Sequence, residues 1–128
     1  MSIGYHRDLD LTMAAAEERV RETLAAEGFG VLTEIDVQAT LKQKLDADFR
    51  PYKILGACQP SSALQALSIH PEVGLLLPCN VTVSANDDGS VRVAAIDAQV
   101  MFTVIDNQEL ADLATEVGAS LRRAIDAI

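Results

Sequence analysis

The segment Asn86-Asp87-Asp88-Gly89 constrains the fold of this chain more than any other. Asp-Gly supplies the positive backbone angles of a tight turn, so the strand-like runs on either side, residues 75–85 and 90–96, are expected to pair as an antiparallel hairpin. Val91, Val93 and Ala95 then share one face of the returning strand. The first run carries Pro78, which cannot donate to a ladder. That strand is therefore expected to lie at an edge, or to bulge there.

Upstream, strands and helices alternate. Residues 3–9 read as a short strand, and Asp10 or Thr12 caps the helix that follows. Met13, Ala16, Val20 and Leu24 form its apolar stripe, and Gly28 stops it. Residues 29–35 read as a strand with Phe29, Val31, Thr33 and Ile35 on one face and Leu32 and Glu34 on the other. Asp36 caps a second helix, with Val37, Leu41 and Leu45 four apart. Residues 52–57 are a third strand. Pro60 suits the first turn of a third helix, buried through Ala63, Leu64 and Leu67. Residues 70–74 read as a loop. After the hairpin residues 97–104 have two readings, a strand by the propensity of 100–105 or a short helix capped by Asp97; the helix is preferred, because a long one opens at Asp106 with capping-box spacing. Leu110, Leu113, Val117, Leu121, Ala124 and Ile128 give that last helix one continuous stripe.

The order β-α-β-α-β-α-β-β-α predicts an α+β fold. Its sheet has about five strands, mostly antiparallel, with helices packed mainly on one face. A chain of 128 residues is expected to be a single domain, 1–128. No Gly-rich phosphate fingerprint follows any strand, which argues against a dinucleotide or P-loop site.

The net charge of −9 repels phosphate backbones and anionic membranes, so neither nucleic acid nor membrane is an expected partner. Scarce aromatics, with no Trp, remove the stacking platform that single strands need. No apolar run approaches the roughly 20 residues that span a bilayer. No signal peptide is legible at the start. Two cysteines are not a disulfide scaffold, and a cytoplasmic, reduced setting is the expectation.

Those cysteines are the chemical feature of the chain. Cys58 lies where the third strand hands over to the helix at Pro60. A helix N-terminus favours an anion and can make such a thiol a nucleophile; the competing reading is a small buried apolar group. Cys79 follows Pro78 and has the same two readings. If their strands are neighbours, the thiols can pair or share a ligand. Metal ligation is not expected: Glu34, His70, His6 and Asp97 stand at no motif spacing. Glu34 and Asp36 lie two apart and point the same way on a strand. As a pair they are acid–base candidates, set against a cap at Asp36 and a solvent or interface role for Glu34. Ser61 and Ser62 have no base nearby in sequence, and Asn80 either bonds the backbone around Pro78 or lines a pocket.

Three motifs, 28–37 (Gly-Phe-Gly-Val-Leu-Thr-Glu-Ile-Asp-Val), 52–58 (Tyr-Lys-Ile-Leu-Gly-Ala-Cys) and 77–81 (Leu-Pro-Cys-Asn-Val), resemble the domain of unknown function 302 family, in the same order and over almost the whole chain. Gln59 departs from the Asn usual in that family before the proline. The resemblance implies a compact α+β domain that pairs into homodimers. It implies no reaction and no cofactor. It draws attention to Glu34, Asp36, Cys58, Pro60, Pro78, Cys79 and Asn80.

Two functions follow as expectations. One is binding of a small ligand, an anion or a reactive sulfur species near Cys58 and Cys79, oriented by Asn80 and Glu34. The other is a homodimeric interaction module without chemistry, using the strand before Pro78 or the last helix, where Gly118 permits close approach. No catalytic set is legible, so enzymatic activity is left open.

Overall fold

The computed structural model describes residues 2–128. Its strands are β1 (Gly4–Leu9), β2 (Gly30–Asp36), β3 (Tyr52–Cys58), β4 (Cys79–Ala85) and β5 (Val91–Ile96). The helices are α1 (Met13–Ala26), α2 (Val37–Leu45), α3 (Pro60–Ile69), α4 (Ala98–Met101) and α5 (Gln108–Asp126), with 3-10 turns at Pro71–Leu76 and Phe102–Val104. The five strands form one sheet in the order β1-β5-β4-β3-β2, and every neighbouring pair is antiparallel. This is the α+β architecture the element order predicts.

The hairpin closes as its sequence dictates. Asn86 N–H donates to Ser90 O at 2.8 Å, and Asp88 Oδ1 accepts from Ser90 N at 2.9 Å. Gly89 takes φ +88°, which side chains rarely adopt. Thr12, not Asp10, caps α1, accepting from Ala15 N at 3.1 Å. Asn107, not Asp106, caps α5, accepting from Leu110 N at 3.1 Å.

The core lies between one face of the sheet and α1 and α5. Strand alternation sends Leu55, Ala57, Val81, Val83, Val91, Val93 and Ala95 inward, against Ala16, Val20 and Leu24 of α1 and Leu110, Leu113, Val117, Leu121 and Ala124 of α5; Ile128 lies past the helix end and is partly buried. Strands β1 and β2 occupy opposite edges, so α1, which links them, must cross the sheet. The long stripe of α5 and the strict alternation of β4 and β5 thus set the core from sequence alone.

Four expectations are corrected. Strand β4 is neither an edge nor long: it lies between β3 and β5 and begins at Cys79. A central strand needs donors on both sides, so Pro78 falls just outside it, and residues 71–76 wind into a 3-10 turn instead. The bulge is in β2. Val31 opposes Ala57 and Thr33 opposes Gly56, so Leu32 is the extra residue. Alternation therefore flips: Val31 keeps the core face, while Thr33 and Ile35 move to the other. Helix α2 buries no residue, because it hangs from edge strand β2; its Leu45 is 72% exposed. Helix α3 packs through small Ala66, not through Leu64 and Leu67, which stay exposed. Helix α5 packs one face into the core, and a Cβ at Gly118 would meet Ala98 Cβ at 3.9 Å, so Gly118 lies beside α4.

Candidate functional site

Pairing of β3 with β4 sets Cys79 opposite Ala57, one residue from Cys58. Both cysteines are free, and both contribute to the wall of one cavity. Phe29, Ala66, Phe102 and Leu113 complete most of it, and Pro78 closes one side. The cavity volume is about 30 Å³, above the roughly 10–15 Å³ that admits one water. Its walls are nearly all carbon and sulfur.

Cys79 is 5% exposed. Burial, with the nearby Cys58 adding to it, pushes its thiol up to about 11, so it is protonated near neutrality. Cys58 is half-buried at the end of β3, immediately before the Gln59 cap of α3. Gln59 does not cap with its side chain. It reaches sideways instead: Nε2 donates to Glu27 O at 2.9 Å, and Oε1 accepts from the Ser62 hydroxyl. The first turn of α3, next to Cys58, is thus left without a side-chain cap.

Gly56 holds this corner together. A Cβ there would meet Pro78 Cγ at 2.7 Å and collide with Thr33 Oγ1. Only glycine lets β2 and the Pro78 loop close on β3 from both sides.

The remaining sequence candidates lie elsewhere. Glu34 is ion-paired with Lys53 at 2.8 Å and Arg21 at 3.2 Å. Asp36 caps α2, accepting from Ala39 N at 2.9 Å. The two carboxylates share a strand face, as their spacing predicts, but each is committed to its own partner. Asn80 opposes Gly56, is exposed, and borders surface grooves rather than the cavity. The candidate metal ligands scatter: His6 opposes Ala94 on β1, Asp97 caps α4, and His70 ends α3. Among the described residues no cluster of three His, Cys, Asp or Glu could hold a metal. Sequence reasoning passed over Gln59 and Ser62 as a bonded pair at the cavity. Their spacing of three at a helix start was the available signal.

The family model Domain of unknown function DUF302 matches residues 5–128. The chain belongs to the DUF302 family. A crystal structure of an uncharacterized conserved DUF302 protein from Bacillus stearothermophilus is similar over 99% of this chain and 98% of that one, at 28% identity and a TM-score of 0.92. A search of curated proteins gives no match. Among the described residues no helix is long and apolar enough to cross a membrane.

Proposed function

We propose that this DUF302 chain binds a small ligand, with a reactive sulfur species as the leading class, in the cavity walled by Cys58 and Cys79. The observation that carries the proposal is the shared cavity: two strands far apart in sequence bring two free thiols to one small apolar space. Its volume suits a small ligand. Cys58 is the accessible thiol beside the positive end of α3. Cys79 is the protonated partner behind it. A cytoplasmic, reducing setting keeps both thiols free. Iodoacetamide labelling of the native protein at neutral pH, resolved by peptide mass, tests this reading. Cys58 should label well before Cys79; slow labelling of both cysteines in the native protein removes the proposal.

A second reading is a homodimer joined through the uncovered face of the sheet. Ile54, Thr82, Ala94 and Ile96 point away from the helices, and Ile3, Ile35 and Phe49 stand exposed around them. This face carries both signs of charge, Arg92 paired to Asp8 and Arg50 to Asp87, so two copies related by a two-fold axis can complement each other. Ala94→Arg should turn a dimer into a monomer in sedimentation equilibrium. A wild-type monomer at high concentration removes this reading.

A further inference from the structure

The stretch from Ile54 to Asn86 holds one formal charge, Glu72, in a chain that is 23% charged. Much of that neutral stretch is on the surface. Leu64 of α3 is 69% exposed and Leu75 of the 3-10 turn 84%, with Leu67 between them; a Cβ at Gly74 would touch Leu67 Cδ2 at 3.7 Å. From Leu75 a groove of about 230 Å³ continues along Pro78, Ile96 and Met101. Exposed apolar patches with no charge at their centre mark docking surfaces.

The rim is of one sign. Helix α5 lies beside α3, since Leu113 wall the same cavity as Ala63 and Ala66. On the exposed side of that part of α5 stand Glu109, Asp112 and Glu116, with Asp106 before them and Glu72 on the 3-10 turn. Among the described residues none of these five has a cation within ion-pair distance. Between Ile54 and Leu121 the one basic residue is Arg92, which pairs with Asp8 on the uncovered sheet face.

We infer that the surface formed by α3 and residues 71–76 docks a protein segment of amphipathic, basic character: apolar anchors on the leucines, lysine or arginine against the acidic rim. A second copy fits poorly, because it would bring five like charges against five. An anionic membrane fits poorly for the same reason. This surface adjoins the thiol cavity at Leu77 and Pro78, but its occupant does not depend on the thiol reading.

The test uses the full chain and a synthetic helical peptide with leucines at helical spacing and lysines elsewhere. A peptide of the same composition with the leucines scrambled controls for simple attraction to a −9 protein. Fluorescence anisotropy should show tighter binding of the patterned peptide, weakening as salt rises. Leu64→Ser with Leu75→Ser should weaken it at least about tenfold, and Glu109→Gln with Glu116→Gln should flatten the salt dependence. Both pairs of substitutions are on the surface, and circular dichroism confirms the fold. Equal binding of the two peptides overturns the inference, as does indifference to the leucine substitutions. A dimer in sedimentation that the leucine substitutions dissociate also overturns it, assigning the surface to a second copy.

Discussion

Strand β3 begins in a cluster of charge and ends beside an apolar cavity. At its start Lys53 Nζ lies 2.9 Å from Glu17 Oε1 and 2.8 Å from Glu34 Oε1, and Arg21 bonds the same two carboxylates at 3.0 and 3.2 Å. Glu34, then Glu17, raise the Lys53 ammonium above its ordinary value. Burial pushes Glu17 up, but Lys53 and Arg21 outweigh it and leave the carboxyl low. Five residues on from Lys53, at Cys58, the strand reaches the cavity, where no charge balances the burial of Cys79 and that thiol stays protonated. The two ends show how one extended segment supports opposite environments. Long charged side chains at one end reach solvent, whereas the short Cys79 side chain at the other is buried.

Substitutions along β3 separate these environments. Leu55 sits fully buried between the ends. Leu55→Ala should cost about 2–5 kcal/mol in urea unfolding, with both ends lost together in one transition. Gly56→Ala tests the cavity end alone. It should cost roughly 1–3 kcal/mol by overpacking and make Cys58 label faster, because Pro78 must move away. Thr33→Ala added to it should recover part of the loss.

The pH dependence of the two ends has opposite sign. Cys79 is raised from 9.0 to about 11, so its contribution is intact below pH 9.0 and is lost as pH rises toward about 11. Wild type should lose roughly 2 kcal/mol over that window relative to Cys79→Ala, read from denaturant midpoints. Glu17 is lowered from 4.5, so its contribution is present above pH 4.5 and lost as pH falls below it. Lys53→Met should remove most of that acid dependence and cost about 1 kcal/mol at low salt, less at high salt. If Lys53→Met also changes Cys58 labelling, the ends of β3 are coupled, and the contrast between them is too sharply drawn.

Much of this organisation was legible in particular residues. Asp88-Gly89 announced the hairpin, and the α5 stripe announced the core, because both signals are local and periodic. Cys58 was placed at the start of α3 by Pro60. The errors share a cause. Leu64 and Leu67, Val37 and Leu45, and the supposed edge strand at Pro78 were assigned burial from their own segment's pattern. Burial depends on which other segment lies opposite. The bulge at Leu32 is similar: nothing in Val31-Leu32-Thr33 marks an extra residue, and it is visible only against Ala57 and Gly56 of β3.

By itself the sequence determined the elements, the hairpin, the caps by residue type and the acidic net charge of the chain. These depend on neighbours within a few residues, where turn chemistry and periodicity act. Tertiary structure alone decided that Cys79 stands one residue from Cys58, that Glu34 belongs to Lys53 and Arg21, and that the leucines of α3 face outward. Each depends on strand register between segments far apart in sequence, and register is fixed by which faces can be buried together.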